Sequence, residues 1–347
     1  MSNKETNMKF EMMAIDGNRM IKLQIGGSPC TYWSIAQTRN RETEPSGMGW
    51  ELFENYLIAL EKFKPNFYLY ENNKSISAAI RAEITKRFGF EPVCINSALV
   101  SAQNRQRLYW CGKRNPDGTY SAVPVQQPED KGILLQDILE SGQAWNEKSY
   151  NLTTRCCGAI PEDTIKRHRH TMVAEPVRIG PIESKVNKKP VKFRPVYEVK
   201  NGLITINGKQ YPIKLTDGFY TFRKLTVTEC KRLQTVPDNY VFPVSDTQAY
   251  KMLGNGWTVD VIAHILSHCH GIASEPLDVI SMYDGMACGH IALDKLGAHI
   301  FRYRAFEIDK YAIKTACHNF TDIEQIGDAF QVRAELENMT AYNEKTV

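Results

Sequence analysis

The pattern that most constrains this chain is an alternation of short apolar runs with helix-spaced apolar residues, found in two blocks separated by a stretch of different texture. In the first block, residues 20–25 and 66–70 are predicted to be buried strands, with a helix over residues 50–63 between them. In the last block, residues 277–282 are predicted to form a strand that leads into a helix over residues 287–296. Alternating strands and helices favour a parallel-rich α/β sheet with helices on both faces.

The middle of the chain is rich in Pro, Gly and short β-like runs. We therefore predict a smaller loop- and β-rich module over residues 112–222, and one discontinuous α/β domain formed by residues 1–111 and 223–347. Residues 151–214 hold 13 Lys/Arg against 5 Asp/Glu, a net charge of +8, which leaves −4 for the rest of a chain of net charge +4. This charge distribution fits a polyanionic partner, and it fits a solvated basic loop region equally well.

Length and composition exclude several classes of protein. The 347 residues, 42% of them apolar, are enough for one large α/β core and an appended module. No run approaches the 18 or more apolar residues of a membrane helix, and residues 1–10 lack the apolar stretch of a secretory signal. Nine cysteines without paired spacing favour reduced thiols and a cytoplasmic setting.

Three kinds of reactive side chain are predicted at strand ends in the first block. The sequence Gly-Gly-Ser-Pro-Cys at 26–30 follows the first strand, so the glycines turn the chain and the proline stiffens the position before the Cys30 thiol. Glu71 ends the next apolar strand. Arg105 and Arg107 alternate along a later strand and are therefore expected to point the same way.

Each of these side chains has an ordinary explanation when taken alone. A lone cysteine is more often a small buried hydrophobe, and an acidic residue or an arginine pair is more often surface decoration. Together, at strand ends where α/β sheets bind ligands, they fit one reaction. A thiolate adds to carbon 6 of cytosine, a carboxyl group holds the N3 edge, and an arginine holds the O2 edge and orients the carboxylate.

These residues resemble the motifs of the DNA (cytosine-5) methyltransferase family. Pro29-Cys30, Glu71-Asn72 and Gln103-x-Arg105-x-Arg107 look like its nucleophile, carboxylate and arginine motifs. Residues 223–234 look like the helix that supports its recognition region, and residues 253–257 look like its last motif. The turn at 280–289 resembles its first motif, most nearly the form in vertebrate de novo enzymes, and Gly327-Asp328 resembles its adenine-contacting motif.

The resemblance implies a doubly wound, Rossmann-like sheet that binds S-adenosylmethionine and releases S-adenosylhomocysteine. The expected cofactor-binding residues are Tyr283, Asp284, Gly285, Ala287, Cys288, Glu307, Ile308, Asp328, Asn255 and Trp257. Glu307 ends a predicted strand, where a carboxylate suits ribose hydroxyls. The cofactor motifs follow the Pro-Cys motif here, whereas the usual order is the reverse, and joining the two ends of the chain restores that order. We therefore expect a circularly permuted member of the family.

The resemblance also implies double-stranded DNA as partner, with residues 112–222 as the target recognition domain. The expected DNA-binding residues are Arg155, Lys166, Arg167 and Arg169, since arginine reads guanine and also binds phosphate. The chain is expected to act as a monomer in a prokaryotic or phage-infected cell, away from membranes, and a cognate restriction enzyme is not required.

Departures from the family pattern leave the central chemistry intact. Thr31, Asn73 and Gly256 stand where many members have Gln, Val and Ser, and Asp284-Gly285 replaces a Phe-x-Gly pattern. A zinc site at Cys156, Cys157, His168 and His170 is not expected, because the spacing matches no standard finger.

Three alternatives stay open from the sequence. The first is a tRNA cytosine-5 methyltransferase, against which the long variable module argues. The second is a catalytically silent DNA-binding relative, against which the presence of Cys30, Glu71 and Arg107 argues. The third is a methylase of free pyrimidine nucleotides, which leaves the basic module without a purpose.

Overall fold

The computed structural model describes residues 20–29, 31–35, 41–154, 158–177 and 195–332. Its strands, in chain order, are β1 (Ile21–Gly26), β2 (Phe67–Asn73), β3 (Val93–Asn96), β4 (Gln106–Arg114), β5 (Tyr120–Ala122), β6 (Met172–Pro176), β7 (Tyr197–Lys200), β8 (Leu203–Ile206), β9 (Lys209–Pro212), β10 (Gly218–Lys224), β11 (Leu277–Met282), β12 (Ile300–Phe306) and β13 (Ile323–Gly327). Its α-helices are α1 (Met48–Phe63), α2 (Ala78–Phe88), α3 (Pro161–Arg167), α4 (Val227–Leu233), α5 (Asp246–Asn255), α6 (Val259–Ser267), α7 (Cys288–Lys295) and α8 (Lys310–Asn319).

The described chain forms two compact units, and their bounds differ from the domains predicted by sequence texture. The first unit draws on Met1–Asn96, Gln106–Pro128 and Val259–Val347, and the second on Ser97–Arg105 and Glu129–Thr258. Residues 223–258 therefore join the second unit. Buried hydrogen bonds tie this segment to residues 97–105 of the same unit: the Ser101 hydroxyl donates to the Leu233 carbonyl at 2.6 Å, and the Arg105 guanidinium donates to the Gly254 carbonyl at 3.1 Å.

The first unit is built on an eight-stranded sheet in the order β13-β12-β11-β1-β2-β4-β3, with β5 added on β4. The strands from β13 to β2 run parallel, whereas β4 is antiparallel to both of its neighbours. Strand β1 lies between β2 and β11, as predicted for residues 277–282. A mixed α/β fold with a mostly parallel central sheet is therefore confirmed. The chain leaves β11 toward β12 and leaves β1 toward β2, so the winding direction reverses between these two strands, where open α/β sheets bind ligands.

Aromatic rings fill the core between α1 and the sheet. The rings of Phe53 and Tyr56 lie on one face of α1, and their centroids are 5.2 and 4.9 Å from that of Tyr70 on β2. Trp110 of β4 lies 5.8 Å from Tyr70 on the same face of the sheet. All four rings are fully buried, so α1 is fixed over the carboxyl half of β2, where Glu71 follows Tyr70.

The second unit contains an antiparallel sheet in the order β6-β10-β7-β8-β9. Its core includes Phe222, whose ring packs edge-on against Trp145 and Tyr197 at centroid distances of 5.3 and 5.4 Å. Helix α4 begins with a capping box: the Thr226 hydroxyl accepts from the Glu229 amide at 3.1 Å, and the Glu229 carboxylate accepts from the Thr226 amide at 2.8 Å. This helix start was predicted from the sequence and is confirmed.

Helices α3, α5 and α8 and strand β13 were not among the sequence predictions. None of the described helices combines the length and apolar character that crossing a bilayer requires. The described cysteines carry free thiols, including Cys111 and Cys269, whose sulfur atoms lie 3.7 Å apart.

Candidate active site at the carboxyl ends of the central strands

Two loops leave the sheet side by side where the winding direction reverses. Gly26 at the end of β1 pairs with Met282 at the end of β11, and a β-carbon on Gly26 would lie 2.5 Å from the Met282 carbonyl oxygen. The loop after β1 runs through Gly27 and Ser28 to Pro29. Cys30, the predicted nucleophile, comes next and lies outside the described residues.

A carboxylate and a guanidinium group meet beside this loop. The Nε atom of Arg107 lies 3.0 Å from Oε1 of Glu71, and each side chain is only 13% exposed. The antiparallel pairing of β2 with β4 brings them together. A β-carbon on Gly27 would lie 2.5 Å from the Glu71 carbonyl oxygen and 3.1 Å from its Oε2 atom. The segment that leads into Cys30 therefore passes directly against Glu71.

Buried polar side chains hold this loop in place, and the sequence analysis assigned no role to two of them, Ser28 and Tyr70. The Ser28 hydroxyl and the Tyr70 hydroxyl lie 2.5 Å apart, and the Asn72 amide donates to the Ser28 carbonyl at 3.3 Å. Burial raises the pKa of Tyr70, so the phenol stays protonated. The signal for this network was a tyrosine followed by polar residues at the end of a strand that begins apolar.

Arg105 has different partners from Arg107, and the argument that predicted a common direction for the two side chains does not apply to Arg105. Strand β4 begins only at Gln106, so the period-two alternation does not reach Arg105. The Arg105 side chain, 4% exposed, donates hydrogen bonds within the second unit to the side chain of Asn151 and to the carbonyls of residues 152, 254 and 256.

Gln103 acts with Arg105 on the same segment. Its side-chain oxygen accepts from the Leu152 amide at 2.7 Å, and its amide donates to the Leu233 carbonyl at 3.1 Å. A β-carbon on Gly254 would lie 2.5 Å from the backbone of Thr153. Residues 151–154 are therefore fixed by hydrogen bonds to Gln103 and Arg105 and by close packing against Gly254. Arg155, the next residue and a predicted DNA contact, lies outside the described residues.

The loop after β11 has an unusual backbone. Tyr283, Gly285 and Ala287 all have φ angles near +60°, and two of these are not glycine. A β-carbon on Gly285 would meet nothing within 4 Å, so that side of the loop is open. Cys288 begins helix α7 and is buried. The Asp284 side chain, predicted to contact cofactor, faces the protein interior, where Ser281 and Tyr303 donate to it at 2.6 Å each.

Glu307, which follows strand β12, is hydrogen-bonded to the loop after β11. Its carboxylate accepts three backbone hydrogen bonds, from Gly285 at 2.8 Å, Ile308 at 2.7 Å and Asp309 at 2.8 Å. A carboxylate offers about four acceptor positions, so capacity remains for a ligand hydroxyl. Ile308 beside it is 72% exposed, an apolar surface next to the carboxylate. Asp328 ends the neighbouring strand and accepts from the Phe330 amide at 3.0 Å.

Asn255 and Trp257 belong to the second unit, at the end of α5 and just after it. Asn255 is exposed, and the flanking carbonyls of Gly254 and Gly256 accept hydrogen bonds from Arg105. Their role in cofactor binding stays a prediction.

The basic side chains at the end of α3 and just after it differ in whether they have ion-pair partners. Arg167 pairs with Asp163 at 3.0 Å, and the Lys166 amine lies 3.8 Å from Glu162 and over the ring of Tyr211. Arg169 follows the helix after a left-handed His168 that is hydrogen-bonded to the Tyr150 hydroxyl at 2.9 Å. Arg169 is exposed and has no ion pair or hydrogen bond with any described residue.

No group of three or more His, Cys, Asp and Glu side chains among the described residues could hold a metal ion. Cys156 and Cys157, weighed as zinc ligands, lie outside those residues.

Comparison with known proteins gives consistent matches. The model of the family described as C-5 cytosine-specific DNA methylase matches residues 3–271. Type II methyltransferase M.HpaII of Haemophilus parainfluenzae is 27% identical over 264 residues, 68% of this chain and 68% of the relative. Type II methyltransferase M.Bsp6I of Bacillus sp. (strain RFL6) is 25% identical over 297 residues, 77% of this chain and 86% of the relative. The solved structure of Entamoeba histolytica methyltransferase EhMeth is similar with a TM-score of 0.42 and 13% identity, over 75% of this chain and 78% of that chain.

Proposed function

The chain belongs to the C-5 cytosine-specific DNA methylase family, and we propose that it methylates carbon 5 of cytosine in double-stranded DNA with S-adenosylmethionine as donor. The observation that carries the proposal is the Glu71–Arg107 pair lying against the segment that leads into Cys30. A carboxylate, a guanidinium group and a thiol at adjacent strand ends are the groups this reaction needs.

The loop after β11 fits S-adenosylmethionine in its chemistry. Gly285 leaves the loop surface open, Glu307 retains acceptor capacity for ribose hydroxyls, and Ile308 offers an exposed apolar side chain beside it. When bound, S-adenosylmethionine supplies an electrophilic methyl group on a sulfonium. We assign Glu307, Ile308 and Asp328 to its nucleoside part and the backbone of residues 285–288 to the rest.

The side chains of the protein then have separate roles in the reaction of the cytosine base. A cytosine stacked in a duplex hides its carbon 6, so the base must be flipped out of the helix before reaction. Cys30, as a thiolate, adds to carbon 6, and Glu71 hydrogen-bonds the N3 edge. Arg107 holds the Glu71 carboxylate in place. Once carbon 5 has gained the methyl group, a base removes its proton, and the electron pair of that C–H bond re-forms the C5=C6 double bond and expels the Cys30 thiolate. Arg105, with backbone acceptors in the second unit, is a positioning residue in this scheme.

We further propose that the chain is a circularly permuted member of the family. The first-motif turn at 280–289 lies beyond the residues that the family model matches, and it follows the Pro-Cys motif in the chain. The parallel pairing of β11 with β1 supports the assignment, because the permuted order requires these two strands to be neighbours.

A labelled-methyl assay tests the proposed function. Purified protein with S-adenosyl[methyl-³H]methionine should label double-stranded DNA, and bisulfite sequencing should place the product on cytosine carbon 5. Transfer RNA, tested side by side, should stay unlabelled. Label in tRNA alone would identify a tRNA methyltransferase, and label in neither substrate would contradict the proposed function.

Glu307→Ala is expected to weaken S-adenosylmethionine binding by about 1–3 kcal/mol, roughly 5- to 150-fold in Kd, because it removes charge-assisted hydrogen bonds to the ribose. Calorimetric titration of ligand into protein checks this. Glu324→Ala, on the neighbouring strand β13 and exposed, is the matched control and should keep wild-type affinity. Equal affinities for Glu307→Ala and the control would remove Glu307 from the site.

Arg169→Gln is expected to weaken DNA binding about tenfold, whereas Arg167→Gln should change it less than threefold. We infer this difference because Arg167 is already paired with Asp163, while Arg169 has no partner in the described part of the chain. Binding isotherms at several salt concentrations check it. A phosphate contact reduces the salt slope by about 1, and a base contact relaxes sequence preference instead. Equal effects of the two substitutions would contradict the ranking.

A further inference from the structure

Asp284 belongs to the glycine-rich loop, yet its side chain is directed inward. Its Oδ1 atom accepts hydrogen bonds from the hydroxyls of Ser281 and Tyr303, both at 2.6 Å. Its Oδ2 atom is buried and has no hydrogen-bond partner among the described residues. The main chain of Asp284 is also fixed, since its amide donates to the Phe306 carbonyl and its carbonyl accepts from the Ala287 amide.

The loop around Asp284 needs such an anchor. Tyr283 and Ala287 have left-handed φ angles of 59° and 60°, a conformation that residues with a β-carbon adopt only when their surroundings impose it. The Tyr283 hydroxyl donates to the Leu52 carbonyl on α1 at 2.6 Å, which holds the first of them. Asp284 lies between the two and connects the loop to β11 and β12.

The groups that face Asp284 come from three elements. Strand β11 contributes Ser281, and β12 contributes Tyr303 and the nearby Glu307, whose negative charge disfavours a second anion. Helix α7 contributes His290. His290 pairs with Asp294 at 3.3 Å and Asp322 at 3.1 Å.

These surroundings shift the pKa values of both Asp284 and His290. Burial raises the pKa of Asp284, the Ser281 and Tyr303 hydroxyls lower it in part, and the result is about 6. Burial lowers the pKa of His290, but its pairing with the carboxylates of Asp294 and Asp322 outweighs that effect and raises the pKa overall.

We propose that Asp284 is a positioning residue whose ionised carboxylate, by accepting the Ser281 and Tyr303 hydroxyls, holds residues 283–287 in the shape that receives the methyl donor, and that protonation of Asp284 relaxes this shape. The neutral acid accepts these bonds more weakly, because hydrogen bonds to an ionised acceptor are about twice as strong as those between neutral groups. Donor binding therefore weakens as the medium becomes acidic through pH 6.

The loss of donor affinity on acidification can be distinguished from acid unfolding, because protonation of Asp284 changes affinity and folding stability in opposite directions. The pKa of Asp284 is higher in the folded chain than in the unfolded one, so protonation favours the folded state between pH 6 and pH 4. The contribution of Asp284 to stability thus rises on acidification while the loop loses affinity. Acid unfolding would lower stability and affinity together, whereas a merely structural carboxylate would change stability and leave affinity unaltered.

Calorimetric titration with S-adenosylhomocysteine at pH 5.5, 6.5 and 7.5 tests the proposal. Wild-type Kd should rise about fourfold from pH 7.5 to pH 5.5, as expected for one group that titrates near pH 6. Asp284→Asn should bind weakly with little dependence on pH. Tyr303→Phe removes a donor to the ionised carboxylate, which raises the pKa of Asp284, and should shift the midpoint to higher pH.

Because this loop binds S-adenosylhomocysteine only if the proposed function holds, a ligand-free measurement accompanies the titration. Urea unfolding at the same pH values should show wild type gaining stability relative to Asp284→Asn as the pH falls from 7.5 to 5.5. Absence of ligand binding at every pH would contradict the proposed function, while this unfolding series would still test the titration of Asp284. A wild-type pH dependence retained in Asp284→Asn, or an unshifted midpoint in Tyr303→Phe, would overturn the role of Asp284.

Discussion

Cys30→Ala is expected to lower the rate of DNA methylation by at least about a thousandfold, roughly 4 kcal/mol of transition-state stabilisation. The reason is that carbon 5 of cytosine becomes nucleophilic only after a thiolate has added to carbon 6. Single-turnover methylation of a short duplex measures the loss. A Cys30→Ala protein that methylates DNA at the wild-type rate would refute the mechanism, whatever family the chain belongs to.

A covalent trap gives the same mechanism a second measurement. With 5-fluorocytosine in the target duplex, carbon 5 carries no proton to lose, so Cys30 cannot be expelled and the adduct should survive a denaturing gel. Cys30→Ser should give no adduct, and Glu71→Gln much less than wild type. Cys317→Ser alters an exposed free thiol on α8 and is the matched control, which should trap DNA fully.

Arg223→Ala is expected to destabilise the folded chain by about 3–5 kcal/mol. Arg223 lies 2.8 Å from Glu229, which is completely buried, and 2.9 Å from Glu175. Burial raises the pKa of Glu229, but hydrogen bonds from Arg223 and two backbone amides outweigh it and lower the pKa overall. Without Arg223, a carboxylate would stay buried without its hydrogen-bonded guanidinium partner.

Urea unfolding with Arg232→Ala as control checks this estimate. Arg232 pairs with Asp238 at 2.6 Å on the surface, where loss of an ion pair costs under about 1 kcal/mol. Because the pKa of Glu229 is depressed on folding, its stabilisation is present above its unfolded pKa and is lost as the pH falls through the folded value. Arg223→Ala should therefore lose that acid dependence as well. Similar stability losses in the two variants would show that Arg223 does not neutralise Glu229.

The sequence was most informative where local chemistry decides the structure. Strong apolar runs predicted the strand at Leu277–Met282 to the residue, and the capping pair of Thr226 and Glu229 predicted the start of α4. The placement of that strand beside β1 followed from the resemblance and the cyclic order of motifs, because no local pattern encodes which strands pair.

Contacts between residues that are distant in the sequence could not be predicted from local patterns. Period-two alternation could not show that Arg105 lies before strand β4 and bonds to carbonyls about 150 positions away. Sequence composition alone assigned residues 223–258 to the α/β domain, whereas the structure groups residues 223–258 with the second unit, where Ser101 and Arg105 donate buried hydrogen bonds to their carbonyls. Helix α8 was missed because its polar residues, such as Lys314 and Asn319, dilute the apolar spacing.

The pairing of β1 with β11 has a consequence for synthesis on the ribosome. The two strands are 256 positions apart, so β1 is made early and its β11 edge stays open until nearly the whole sheet-forming sequence has emerged. Pairing of strands so distant in sequence is slow, and an open strand edge at the centre of a future sheet is prone to pair with other chains. Slow translation of residues 97–258 would lengthen that exposure. The solubility of newly made protein should therefore depend on elongation rate and on chaperones that cover strand edges.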